Sequence, residues 1–198
     1  HCPADKVTKR EDIKIFLNNL YKAMPEAKEN FLTMLSNYQK EDVWGKEIYL
    51  QINQKGLCLK PVVTPEDALE MMDIRHKVFI DEQNIKYEDE FVESEEKEAK
   101  SYLITLNEKA IGTLRYRIVN DEYKIERFAL KKEYRKNGYG KEAFKFFTDY
   151  LAGMFNPCTI TFNSQEYLIN FYKNLGFIEE GDLLQEAGIN HKRMYKKY

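Results

Sequence analysis

Apolar residues recur at steps of three and four along residues 11–38, first Ile13, Phe16, Leu17, Leu20 and Met24, then Phe31, Met34, Leu35 and Tyr38. The spacing predicts two amphipathic helices parted near Pro25. Residues 43–52 read as a short strand or a loop. A new pattern starts near Gly56: Leu57, Leu59, Val62 and Val63 form a strand that stops at Thr64 and Pro65. Thr64 is placed to cap the helix that follows, with Pro65 at its first position and Asp67 supplying the acid of a near capping box. That helix is predicted to run to about Ile80. Two strands, 102–106 and 111–118, then flank the turn Asn107, Glu108, Lys109, and a third, 123–130, follows Asn120 and Asp121. The helix 141–154 buries Ala143, Phe144, Phe147, Tyr150 and Leu151, and turns Glu142, Lys145 and Asp149 outward. A short strand at 157–162, a helix at 165–175 stopped by Gly176, and a last strand at 193–195 complete the expected order.

Alternating strands and helices give a mixed α/β (α+β) class, with residues 1–55 as a helical extension and residues 56–198 as the main domain. A chain of 198 residues is long enough for one such core. Its formal charge of −2 names no polyanion partner, so nucleic acid is not expected. No apolar run reaches the ~20 residues that cross a bilayer, and no apolar core of a secretion signal opens the chain. These features point to a cytoplasmic protein without a membrane partner. Cys2, Cys58 and Cys158 are odd in number and far apart, and His1, His76 and His191 are equally scattered, so no metal site is expected.

The stretch Arg135, Lys136, Asn137, Gly138, Tyr139, Gly140, Lys141 joins the strand 125–130 to a helix. Two glycines there permit backbone N–H groups to converge ahead of a helix N-terminus, where Arg135, Lys136 and Lys141 add positive charge. The pattern suits a diphosphate, and it equally suits a surface turn that caps an ordinary helix. Arg135 stands where a P-loop needs its first glycine and Glu142 where it needs a magnesium-binding hydroxyl. A dinucleotide fingerprint is met only minimally by Gly138, Gly140 and Ala143, and Asn163 stands where its ribose-binding acid belongs.

Several separated blocks resemble the GNAT superfamily of acetyl-CoA-dependent N-acetyltransferases. Ile125, Glu126, Arg127, Phe128, Ala129 and Leu130, followed by Arg135 to Gly140, are similar to its strand and R-x-x-G-x-G loop. Phe171, Tyr172, Gly176 and Phe177 are similar to its F-Y-x-x-x-G-F helix end. Two further blocks, from Arg75 through Glu82 and Gln83, and Glu186 through His191 with Met194, resemble its ElaA-like branch. The resemblance covers residues 56–198 and leaves the first 55 unplaced.

The resemblance implies a mixed, mostly antiparallel sheet with flanking helices, splayed between its fourth and fifth strands. Main-chain groups of Phe128 and Leu130 are then expected to bind pantetheine, the loop from Arg135 to Lys141 the diphosphate, and Asn163 the cofactor's other flank. Acetyl-CoA is the implied cosubstrate, and a small-molecule or peptide amine the acceptor. Tyr172 is the expected donor to the departing thiolate, against a plain reading as a core aromatic. Strict alternation along the strand puts Glu126 on the face of Phe128 and Leu130, which makes it the candidate base; pairing with Lys124, Arg127 or Lys132 is the alternative. Glu82 and His191 are candidates for the acceptor pocket. Residues 81–98 carry nine acids against two lysines and read as a mobile or solvated loop with room for one helical turn, which attracts a cationic amine or merely faces water. The N-terminal helices suit a lid, a homodimer contact or a partner. A non-catalytic acyl-CoA sensor and a transferase of longer acyl chains are the rival functions.

Overall fold

A computed structural model describes residues 50–198; the helices predicted within residues 11–38 lie outside the described residues. The strands are β1 (Leu50–Gln51), β2 (Leu57–Pro61), β3 (Lys100–Leu106), β4 (Lys109–Val119), β5 (Glu122–Leu130), β6 (Thr159–Gln165), β7 (Ile178–Glu186) and β8 (Ile189–Lys197). The helices are α1 (Pro65–Arg75), α2 (Tyr87–Glu90), α3 (Glu93–Glu98), α4 (Tyr139–Phe155) and α5 (Ile169–Lys173). One sheet orders the strands β1-β2-β3-β4-β5-β6-β8-β7. Every neighbouring pair is antiparallel except β5 and β6, which run parallel because α4 carries the chain across between them.

Local chemistry accounts for most element ends. Thr64 and Asp67 form a full capping box: the Asp67 N–H donates to Thr64 Oγ1 at 3.1 Å, and the Thr64 N–H donates to Asp67 Oδ2 at 3.3 Å. Each two-residue hairpin turn holds both residues at positive φ, Asn107 and Glu108, Asn120 and Asp121, and Ala187 and Gly188. Such pairs match the twist of the strands they join.

Two apolar layers sandwich the sheet. Phe144, Phe147 and Leu151 of α4 pack with Tyr116, Ile125 and Phe162 on one face, while Met71, Met72 and Ile74 of α1 pack with Leu103 and Ala129 on the other. Strand β5 changes sides partway along. Thr113 of β4 pairs with Ala129, but Arg115 pairs with Glu126, so Arg127 and Phe128 together oppose the single residue Leu114. Arg127 takes φ +52 to accommodate this bulge. Beside it the strands approach closely, and a Cβ on Gly112 would stand 2.5 Å from the Ala129 carbonyl oxygen.

Three sequence expectations change. The helix from Pro65 does not run regularly to Ile80; it ends at Arg75 and continues as a π-helical turn, His76–Asp81. The acidic stretch goes beyond the single helical turn expected of it: it forms two short helices, α2 and α3, and buries Glu90 and Glu96 where a solvated loop was expected. The last strand is the second arm of a long hairpin whose first arm, β7, is mostly exposed and so lacks an apolar alternation to betray it.

Candidate functional site

Strands β5 and β6 are joined only at Tyr123↔Ile160 and Lys124↔Thr161. Beyond these pairs they diverge, and a cleft of about 690 Å³ opens between them. This is the splay expected beside the fourth strand; the strand is the fifth here because β1 is counted. The bulge at Arg127 and Phe128 supplies the cause, since an extra residue bends and twists β5 away from its parallel neighbour.

At the outer end of the cleft the chain leaves β5 through a 3-10 turn, Lys132–Tyr134, and enters α4 behind Gly138 at φ +84. A side chain at that φ is strained, so the glycine is what permits the turn. The first helical bond is Glu142 N–H to the Gly138 carbonyl, and among the described residues the amides of Lys136, Asn137, Gly138, Tyr139, Gly140 and Lys141 have no acceptor. The Arg135 amide is engaged, with the Lys132 carbonyl at 3.3 Å. Arg135 itself donates from Nε to the Leu130 carbonyl at 2.8 Å and from Nη1 to Glu82 Oε2 at 2.6 Å, while its Nη2 is buried without a partner. Six free amides and an unpaired guanidinium nitrogen are what a diphosphate requires, so the residues present fit that group. Lys136 lines the cleft and Lys141 is exposed in the first turn of the helix.

Phe128 packs on Phe144 at 5.1 Å between ring centroids, which holds the free edge of β5 against α4. Tyr172 reaches the cleft from α5, wedged against Phe162 at 4.4 Å and Phe144 at 4.9 Å. Burial, and then the neighbouring Tyr167, push the Tyr172 phenol well above the usual tyrosine range. It therefore stays protonated, a hydrogen-bond donor at any working pH.

Glu126 lines the cleft, but the alternation that put it on the face of Phe128 and Leu130 does not hold. The bulge inverts the order, so Ile125 and Phe128 join the α4 layer while Glu126 turns to the arginines of β4. Its carboxylate takes Arg117 Nη2 at 2.8 Å, Arg115 Nη2 at 3.1 Å and Lys124 Nζ at 3.1 Å. Burial alone would raise its pKa; the bond from Arg117 and the charges of Arg115 and Lys124 outweigh burial and hold it at about 2. A carboxylate so committed is a poor proton acceptor.

Glu126 belongs to a network invisible as a motif. Glu96 bonds Arg75 at 2.8 Å and Arg115 at 2.5 Å, Glu90 bonds Arg75 at 2.6 Å and Arg127 at 2.8 Å, and Glu95 bonds Arg115 at 2.5 Å and Arg117 at 3.0 Å. Four arginines thus meet four glutamates, with Arg75 and Arg115 almost wholly out of solvent. The one available signal was Arg115 and Arg117 at alternate positions of a strand, on a face that needs acids to meet them, after a segment rich in acids. Because the folded pKa of Glu126 lies below its ordinary 4.5, its contribution to stability is complete above about pH 4.5 and is lost as the pH falls towards 2. That contribution is roughly 3 kcal/mol. Urea unfolding of wild type and Glu126→Gln at steps from pH 6 to 2.5 should show a gap that closes towards the acid end; a constant gap would refute the assignment.

His191 lies in the cleft wall, 8% exposed, with Nδ1 2.9 Å from the Ile189 carbonyl oxygen. Asn163 also lines the cleft and donates to Glu186 Oε1 at 2.5 Å. Glu82 is not among the residues that line the cleft; its carboxylate accepts from Arg135 Nη1 at 2.6 Å beside the loop that leads into α4. Gln83, its neighbour, lines the cleft and accepts from Gln165 Nε2 at 2.9 Å, a pairing the sequence reading missed. Among the described residues no group of His, Cys, Asp and Glu is arranged to hold a metal, and no helix is long and apolar enough to cross a membrane.

A family model described as an acetyltransferase (GNAT) domain matches residues 60–198. The protein YyaT of Bacillus subtilis (strain 168) is 30% identical over 141 residues, which are 70% of this chain and 95% of that one. Among solved structures, Escherichia coli ElaA superimposes with a TM-score of 0.61 at 18% identity, over 71% of this chain and 99% of that one. A Bacillus subtilis acetyltransferase crystallised in complex with CoA gives 0.54 at 16% identity, over 72% and 99% respectively. At those identities the structural likeness is one of fold.

Proposed function

The chain belongs to the GNAT acetyltransferase family, and from that premise we propose that it transfers an acetyl group from acetyl-CoA directly to a primary amine of a small molecule or peptide. One observation carries this reading: a cleft between two diverging parallel strands is lined at one end by Arg135 and Lys136, which open a loop with six unpaired amides and an unpaired guanidinium nitrogen. The CoA-bound relative supports acyl-CoA as the donor that such a cleft accepts.

Bound acetyl-CoA supplies an activated thioester carbonyl. The amides of Lys136 to Lys141 and Arg135 Nη2 hold the diphosphate, and Asn163 flanks the cleft opposite Phe128. The free edge of β5 between Arg127 and Leu130 aligns the pantetheine arm, with one change from the sequence reading: the Leu130 carbonyl already accepts from Arg135. The amine nitrogen bonds to the carbonyl carbon as the carbon–sulfur bond breaks, and the electron pair leaves on sulfur. Tyr172 donates a hydrogen bond to that sulfur and stabilises it without giving up its proton. The proton shed by the amine passes to water at the mouth of the cleft, because Glu126 is too weak a base to retain it. His191, in the cleft wall, belongs to the acceptor side.

Acetyl-CoA at one hundred times its dissociation constant should stabilise the fold by about 2.7 kcal/mol. A rise in melting temperature with millimolar acetyl-CoA and with CoA checks this. No shift with either would remove the cradle assignment, and with it the proposed donor.

A further inference from the structure

We propose that Glu82 and Gln83 form a strap that ties the diverging ends of β5 and β6 to one another, fixing the width of the cleft and the aim of Arg135. The inference rests on the reading of the cleft as an acyl-CoA site, and it makes the two residues positioning residues for that ligand. Leu130 is the last residue of β5 and Gln165 the last of β6, and the ladder between these strands stops well short of both. Glu82 reaches the first end through Arg135, whose Nε–H meets the Leu130 carbonyl; Gln83 reaches the second by accepting from Gln165. Two consecutive residues therefore span a gap that no ladder bond closes.

The strap has a rigid anchorage. The Glu82 N–H bonds the Lys77 carbonyl at 3.1 Å and closes the π-helical turn, which the buried Val78 and Phe79 pin to the core. On the far side the Ile85 N–H returns to the Phe79 carbonyl at 2.9 Å. A π-helical turn at such a place commonly marks a functional site.

An anion beside Arg135 raises the question whether Glu82 competes with the diphosphate. The division of donors answers it: Leu130 takes Nε–H and Glu82 takes Nη1–H, so both hydrogens on the buried Nη2 are left for the ligand. Glu82 orients the fork and leaves its other prong, Nη2, unoccupied.

The test is calorimetric titration of the full chain with acetyl-CoA for wild type, Glu82→Ala, Glu82→Gln, Gln83→Ala and the Ala/Ala pair, with melting temperatures alongside. Both residues lie outside the core, so melting should stay within about 2 °C of wild type. Glu82→Ala and Gln83→Ala should each weaken binding about five-fold or more, the value of one hydrogen bond. Glu82→Gln keeps an acceptor oxygen for Arg135 and should stay within about two-fold. Since either break frees the same gap, the pair should cost little more than the worse single change. Unchanged or tighter binding in either alanine variant, or effects that multiply independently, would overturn the strap while leaving the acyl-CoA reading intact. Failure of wild type to bind would overturn that reading and the strap together.

Discussion

Tyr172→Phe should lower kcat for acetyl transfer by about 100-fold or more while leaving the affinity for acetyl-CoA within about two-fold. The substitution removes only the phenol oxygen, so the ring stays packed against Phe144 and Phe162 and the stability of α5 is preserved. The missing hydroxyl matters only as negative charge gathers on sulfur, which is why the loss falls on kcat and spares ground-state binding. Its raised pKa means that the group works as a fixed donor, and no inflection assignable to Tyr172 should appear below pH 10 in the rate profile. Thiol release measured over polyamines, aminoglycosides and lysine peptides, with binding determined separately, checks both halves. A phenylalanine variant that turns over at the wild-type rate would leave Tyr172 as a core aromatic and no more.

Arg75→Ala should destabilise the fold by about 3–5 kcal/mol. Arg75 is fully buried and holds both Glu90 and Glu96, and its own pKa is raised because these two carboxylates overcome the burial that opposes its charge. Removing it strands two buried anions, one of which retains Arg115 and the other Arg127. For a domain of this size the loss corresponds to a fall of about 10 °C in melting temperature. It should be accompanied by loosening of α2 and α3, which are linked through the buried Phe91, on whose ring Arg75 lies at 4.5 Å. Thermal and urea unfolding decide it; a loss under 1 kcal/mol would mean that the network is well solvated and that its burial adds little.

The two predictions separate what a motif can announce from what it cannot. Tyr172 stood in a recognisable block, and its place on the cleft follows from a short helix, α5, that is followed by a left-handed glycine, Gly176. The network around Arg75 had no motif. Its members come from α1, α2, α3, β4 and β5, and their only trace was the alternate Arg115 and Arg117 of one strand and an excess of acids some twenty residues before them. Those acids read as a solvated face because local charge says nothing about burial. Glu126 shows the same limit at one residue: alternation is a local rule, and a bulge that depends on pairing with β4 reversed it.

By itself the sequence determined the order of elements from β2 to α5 apart from α2 and α3, the glycine turn ahead of α4, and the residues that could serve a diphosphate and a thiolate. Periodicity, capping and glycine conformations are properties of a few adjacent residues, and they survive translation into a string of letters. Only the tertiary structure decided which carboxylates are spent on arginines, which side of β5 Glu126 faces, that Glu82 belongs to Arg135, and that Gln83 spans the gap to Gln165. Each depends on groups far apart in the chain whose distance, and therefore whose charge state, is fixed only when strands and helices pack.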